Sequence, residues 1–469
     1  MEKNVIKIGY CPTRRDVFSR EEAIKFNKKI RTLMNNFDVE IVDLEGINEE
    51  ALLFRDCDIT KITDRFIENK VDGIFFPHCN FGSENRVAQV ARKLNVPVLI
   101  WGPRDDYPDE SGLRSRDSQC GMFATGKVLR RHNIPFTYLT NSWIESDEFR
   151  DGMQKFIRVV NVVKSVKNLN ILQISTRPEP FCSVICNENE LIEKFNIHLY
   201  PITLHDLILK MREVEKKYLR DFKETAEFIR SIDLTGKEDG VMKVAALKVA
   251  MKELAEQYNC KAVAVQCWTS LQDMVNIMPC QANALLTDDG IPVACETDIH
   301  GAITAVMMQA VTMGESVPFF ADVTVRHPEN DNAELLWHCG NFPYSLAKDK
   351  TKAKTGVSRY HNNTYGIGEL QLKDGNLTIA RFDGDHGEYS MFIGEAHTTE
   401  GPKNVGSYVW IEVDDWAKWE HKFVEGPYIH HVSGVYGNYG EVLYEACKYI
   451  EALKPDSLLP VEEIERRWR

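Results

Sequence analysis

Residues 291–311 read IPVACETDIHGAITAVMMQAV. The first five are short, apolar and strand-like. From Ile299 onward the Ala and Met content and the length are those of a helix. Glu296 and Asp298 stand at the joint, where acids need a helix cap, an ion pair or a bound cation. Asp298, directly before the helix, reads as its N-cap. Glu296 is still leaving the strand, so an ion pair is its ordinary alternative and a cation its chemical one.

The same strand–joint–helix unit recurs along the chain. VIKIGYC (5–11), FDVEIVDL (37–44), VDGIFFPH (71–78) and VPVLIWG (96–102) read as strands. Between them SREEAIKFNKKIRTLM, opened by Ser19, DITKITDRFIEN and SENRVAQVARKLN read as helices. Such alternation predicts a parallel sheet with helices on both faces and ligand loops beyond the strand C-termini. A second block runs through NLNILQIS, IHLYPI, KAVAVQCW and IPVACE, with one long charged helical segment expected from Leu204 to Arg230. From about Pro318 short strands alternate with turns, and Asp374-Gly375 and Asp383-Gly384 are expected as turn dipeptides. The fold class expected is α/β: two doubly wound, Rossmann-like parallel-sheet domains at 1–166 and 167–317, then a β-rich domain at 318–469.

The bulk numbers narrow the function classes. The chain has 469 residues, 43% hydrophobic and 27% charged, with a net charge of -13. That balance and the lack of a polybasic run argue against nucleic acid as a partner. No run of 18 apolar residues and no signal-peptide pattern occur, so no membrane partner and a cytoplasmic location are expected. Twelve scattered cysteines then read as reduced thiols, most of them packing residues. Only Cys182 and Cys186 sit close together in sequence, and no zinc-type pair of pairs is present.

Further acids and imidazoles fall at strand ends. Asp322 lies in VPFFADVTV, His338 in ELLWHCGN, and His430 and His431 in GPYIHHVSGVYGNYG. Each histidine alone reads as an ordinary core or surface residue. Two carboxylates with one or two imidazoles suit manganese, magnesium, iron or zinc. The loop STRPEPF, after the strand ILQIS, adds Arg177, Glu179 and Phe181 as candidates.

These residues resemble the L-fucose and L-arabinose isomerase superfamily. ETDIHGAITAVMMQAV followed by FADV is similar to that family's ENDALNG-type motif and its later FADV. PHCNFGSE followed by IWG, and the opening IGYCPTRRDVFSREEA, fit the same pattern, so the likeness spans nearly the whole chain. By position it implies Glu296 and Asp322 as metal ligands and acid-base groups and His431 as a third ligand. His338 falls at the place of a fourth ligand found in the arabinose branch. It also implies Mn2+, or another dication such as Mg2+ or Co2+, a small-molecule sugar and a homotrimer or homohexamer. Arg14, Trp101, Arg177, Gln266 and Trp268 become candidates for gripping or stacking on the sugar, with packing or surface charge as their ordinary alternative.

The activity so implied is metal-dependent aldose–ketose isomerisation of a free sugar, fucose- or arabinose-like or a modified hexose. Glu296 would move a proton between C1 and C2 through an enediol, with Asp322 as partner acid. A non-catalytic sugar-binding protein and a metal-dependent aldolase are the competing expectations.

Overall fold

A computed structural model describes residues 5–468. The chain divides into two compact units. One is Met1–Lys164 with Glu441–Ile450 and Val461–Arg469, the other Ser165–Gly440 with Glu451–Pro460.

In the first unit, strands β1 (Lys7–Tyr10), β2 (Glu40–Val42), β3 (Gly73–Pro77), β4 (Val98–Trp101) and β5 (Thr137–Tyr138) form one sheet in the order β2-β1-β3-β4-β5. Every pairing is parallel. Side-chain alternation splits the core in two. Ile8, Tyr10, Phe75, Leu99 and Trp101 join one apolar cluster, with the helices Arg20–Met34 and Asp147–Val166. Ile74, Phe76, Val98 and Ile100 join the other, with Ile59–Glu68 and Glu84–Leu94. Strands buried on both faces read as continuous apolar runs, which is why they were legible. Ser19 caps its helix as expected, its side chain accepting from the Glu22 N–H. The two-residue strand β5 was too short to carry a pattern.

In the second unit, β6 (Asn170–Ile174), β7 (His198–Ile202), β8 (Ala262–Val265) and β9 (Val293–Ala294) form a parallel sheet in the order β7-β6-β8-β9. The single helical segment expected over 204–230 is two helices, Leu204–Lys217 and Arg220–Ile232. Tyr218 turns left-handed at φ 46° and closes the first of them, and Leu219 is extended. Neither Gly nor Pro marks that break, so composition hid it.

The remaining strands are β10 (Phe319–Arg326), β11 (Ala333–His338), β12 (Lys354–Ser358), β13 (Thr364–Gln371), β14 (Asn376–Asp385), β15 (Glu388–Thr399), β16 (Ser407–Glu412), β17 (His431–Tyr436) and β18 (Leu453–Ser457). They run in the order β12-β13-β16-β11-β10-β17-β14-β15-β18, and β15 also pairs with β16. Strands β16, β11, β10, β17, β14 and β15 therefore close into a barrel-like ring, all antiparallel around its circuit. Two turn expectations part here. Asp374-Gly375 does lie between β13 and β14, but Asp383-Gly384 lies inside β14. The turn falls at His386-Gly387, both at positive φ, 49° and 80°. Asp383 cannot serve as a loop residue, because it is buried and bonded to Arg381 and His300.

Candidate active site

The joint quoted above is a strained turn. Glu296 and Thr297 both sit at positive φ, 57° and 56°. For non-glycine residues that costs on the order of 1–3 kcal/mol each and needs outside support. Support comes from the Thr297 N–H to Val265 O at 3.1 Å, Thr297 Oγ1 to Thr176 O at 3.1 Å, and the Asp298 N–H to Cys295 O at 3.0 Å. The turn brings the Glu296 side chain back beside the end of β8. There Cys267 Sγ donates to Oε1 at 2.9 Å and Trp268 Nε1 donates to the same oxygen at 3.1 Å.

The other oxygen, Oε2, is buried without a hydrogen-bond partner. It faces His338 Nε2 at 3.7 Å and His431 Nε2 at 3.9 Å. Among the described residues no Lys or Arg pairs with Glu296, and its charged neighbours are the two imidazoles. Burial pushes its carboxyl pKa up, but the two imidazoles and the thiol outweigh burial and hold it at about 2.

Asp298 is the helix cap the sequence announced, and more. Its Oδ1 accepts the Gly301 N–H at 2.9 Å at the head of the helix Ile299–Val311. The fully buried Arg381 grips both of its oxygens. Oδ2 also lies 2.9 Å from His431 Nδ1. Burial opposes its charge, and Arg381 and His431 together hold its carboxyl far below the usual range.

The ring of strands supplies the other groups. In the register of β10 against β17, Asp322 stands directly opposite His431. Cross-strand partners have Cβ atoms roughly 5 Å apart. Asp322 Oδ1, buried and without a hydrogen-bond partner, lies 3.4 Å from His431 Nε2. Burial raises the Asp322 carboxyl, against the pull of His338 and His431. The exposed His430 also offers a nitrogen, within 4.8 Å of the Asp322 and His431 ligand atoms. Phe320 packs on His431 and His338 at 4.9 and 5.7 Å between ring centroids, and Phe181 on His431 and His430 at 5.3 and 5.7 Å.

Glu296, Asp322, His338 and His431 thus come to one focus, and their unpartnered atoms are the ones that face it. His338 differs from His431 in tautomer. Its Nδ1 accepts the Cys339 N–H at 2.9 Å, so the neutral ring carries its proton on Nε2. His431 donates its Nδ1–H to the Asp298 carboxylate, which leaves a lone pair on Nε2 of the neutral ring.

The sugar-contact expectations fare unevenly. Trp268 is at the focus, but its indole N–H is spent on Glu296. Gln266 is buried and accepts from Ser175 Oγ at 2.9 Å. Arg177 is half-buried and turns back on its own loop, donating to Pro178 O and Glu179 O at 3.0 and 2.7 Å. Arg14 and Trp101 belong to the first unit. Arg14 is buried, paired with Glu50 and Asp16, and stacked 3.7 Å over Phe54. The Trp101 ring is wholly buried 4.2 Å from Phe149, and its N–H donates to Thr140 O and Ser142 Oγ. Apolar bulk at a strand end reads the same for a core residue as for a stacking platform. Asp298 as the partner of His431 was missed. The only signal was its place beside Glu296, already explained by capping.

Comparison with known proteins places the chain among sugar isomerases. The sequence model described as "Fucose/sulfoquinovose isomerase, N-terminal domain" matches residues 9–167, and "L-fucose isomerase, C-terminal domain" matches residues 336–453. A sulfoquinovose isomerase of Alkalicoccus urumqiensis is 27% identical over 72% of this chain and 74% of its own length. One of Priestia megaterium (strain ATCC 12872 / QMB1551) is 26% identical over 93% of this chain and 96% of its own. Among solved structures, a periplasmic solute-binding protein from Actinobacillus succinogenes 130z with bound D-allose aligns at 10% identity over 66% of this chain and 92% of that one. Its TM-score of 0.16 is too low to bear on fold or function.

The protein is an aldose–ketose sugar isomerase. It belongs to the fucose isomerase-like family, whose N- and C-terminal domain models together match more than half of its length.

Proposed function

We propose that this chain converts a C6-modified aldohexose to its ketose, with sulfoquinovose as the preferred substrate, using a manganese-class dication held by Glu296, Asp322 and His431. The observation that carries the proposal is the set of buried atoms left without hydrogen-bond partners at one focus: Glu296 Oε2, Asp322 Oδ1 and His338 Nε2, beside the free Nε2 of His431. Buried polar atoms are left unpaired in this way where an ion or ligand completes them. Oxygen and imidazole donors suit a hard to borderline dication. When bound, such an ion supplies positive charge where the sugar oxygens develop negative charge.

The chain's own residues do the rest. Cys267 and Trp268 fix Oε1 of Glu296, which orients the carboxylate that takes a proton from C2 and returns it at C1. His338, with its proton on Nε2, faces Glu296 and Asp322 as a hydrogen-bond donor rather than a ligand. Asp298 keeps the proton of His431 on Nδ1. Phe181 and Phe320 restrict water around the imidazoles. The sugar preference rests on the names of relatives that align over 72% and 93% of this chain. A homotrimer or homohexamer, as the family resemblance implies, and a cytoplasmic setting that keeps the free thiols reduced belong to the same reading.

The test is an aldose panel with added Mn2+, containing sulfoquinovose, L-fucose and D-arabinose, run on the wild-type protein and on Glu296→Gln. Sulfoquinovose should give the ketose at the highest kcat/KM, and E296Q should fall below about a thousandth of wild type, the upper range for a lost proton-transfer group. Turnover of fucose with none of sulfoquinovose would reject the substrate. Normal turnover by E296Q would reject the mechanism.

A further inference from the structure

Cysteines scattered in sequence meet in space. Cys267 follows β8 and Cys295 follows β9, two strands paired side by side in the central sheet. Both thiols are buried. The two sulfurs and a Glu296 carboxylate oxygen lie within 4.8 Å of one another. Cys267 Sγ donates to Glu296 Oε1 at 2.9 Å. Two carboxamides point at the other sulfur: Asn283 Nδ2 donates to Cys295 Sγ at 3.4 Å, and Asn341 Nδ2 at 3.5 Å. Amide N–H groups aimed at a sulfur are the outer-shell arrangement of metal-bound thiolates.

We propose that Cys267, Cys295 and Glu296 Oε1 form a second metal site, for a thiophilic dication of the zinc class, back to back with the isomerase focus and sharing Glu296 with it. The proposal goes beyond the isomerase reading, because it uses the opposite oxygen of the carboxylate and a different donor set. Two thiolates and one carboxylate select zinc, cobalt or cadmium over manganese or magnesium. Binding replaces the proton between Cys267 and Glu296 and takes a second from Cys295, so two protons leave per ion. Zinc–sulfur and zinc–oxygen bonds of about 2.3 and 2.0 Å place tetrahedral ligand atoms roughly 3.5 Å apart. The Cys267–Glu296 gap must therefore widen by about half an ångström, a side-chain adjustment. Trp268 Nε1 keeps its own bond to Oε1.

The full-length protein is stripped of metal, titrated with Co2+, and followed by absorbance and by bound cobalt per chain. The expected result is two cobalt ions per chain and a near-ultraviolet thiolate-to-cobalt charge-transfer band. The double variant Cys267→Ser, Cys295→Ser should lose the band and one ion. Asp322→Asn should lose the other ion and keep the band, which separates this site from the isomerase site. Cys447→Ser, a buried thiol of the first unit, should change neither. If the double variant does not fold, Cys267→Ala and Cys295→Ala are read singly, and each should lose or weaken the band. Absence of a thiolate band in wild type, or its survival in both cysteine variants, overturns the proposal.

Discussion

His431 Nδ1 lies 2.9 Å from Asp298 Oδ2, and that hydrogen bond, with the Arg381 guanidinium on the same carboxylate, ties the central sheet to the ring of strands at the site. Asp298 belongs to the cap of the helix after β9, and His431 opens β17. The contact explains why a helix cap here is an aspartate. Any of Ser, Thr, Asn or Asp would cap, but only a carboxylate can cap, hold an imidazolium-capable ring and balance a buried arginine together. For Asp298→Asn the cap should survive. Metal affinity should fall about 10- to 100-fold, the usual effect of losing an outer-shell partner. Calorimetric titration of Mn2+ into the two proteins measures it.

Trp268 separates two roles by kinetics. Its N–H bond to Glu296 Oε1 makes it a positioning residue. A hydrogen bond to a charged group contributes about 1.5–3 kcal/mol, which corresponds to roughly 10- to 150-fold in rate. Trp268→Phe keeps the ring and loses the donor, so kcat should fall within that range while KM changes little. A raised KM at unchanged kcat would instead make the indole a sugar contact.

Gly121 and Gly126 lie on one helix, Ser118–Arg131, and should respond oppositely to alanine. A Cβ on Gly121 would meet Phe81 O at 1.7 Å, a backbone atom that cannot step aside. On Gly126 it would meet only the edge of the Phe136 ring, at 3.3 Å. Gly121→Ala should destabilise by about 3 kcal/mol, the upper end of overpacking. Gly126→Ala should be neutral or stabilising by up to about 1 kcal/mol, since alanine is the better helix former. Thermal unfolding of the two variants checks the contrast.

His78 sets an acid limit on the first unit. It is fully buried at the C-terminal end of β3, with Nε2 2.9 Å from Thr125 Oγ1 and Nδ1 unpartnered. Burial pushes its pKa down to about 4. Between the unfolded value near 6.5 and this folded value, the unfolded chain binds the proton and the folded one does not. Stability therefore falls as pH drops through that window, by on the order of 3 kcal/mol for this group. His78→Gln should lose less stability than wild type between pH 6.5 and pH 4, measured by denaturant unfolding at each pH.

Long-range convergence is what the sequence could not display. The central parallel strands β3, β4 and β8 were legible because each is an apolar run between helices of clear period, and Ser19 and Asp298 announced their caps by residue type and place. Glu296, Asp322 and His431 stood out as polar groups at the ends of apolar strands. That Asp322 faces His431 depends on the register of β10 against β17, which local pattern does not encode. The pairing of Cys267 with Cys295 depends in the same way on β8 lying beside β9. The break at Tyr218 was hidden because neither Gly nor Pro marks it, and the turn at His386-Gly387 because Asp383-Gly384, three residues earlier, carries the stronger turn dipeptide. Trp101 shows the converse: it lies at a strand end, where ligands bind, yet it is packed.

The most direct test is crystallographic: the protein soaked in Mn2+, with an anomalous difference map. One strong peak is expected within about 2.0–2.3 Å of Glu296 Oε2, Asp322 and His431 Nε2, with Asp298 still bonded to His431 Nδ1. A map whose manganese peak lies away from these three side chains, with Glu296 Oε2 still unligated, would contradict it.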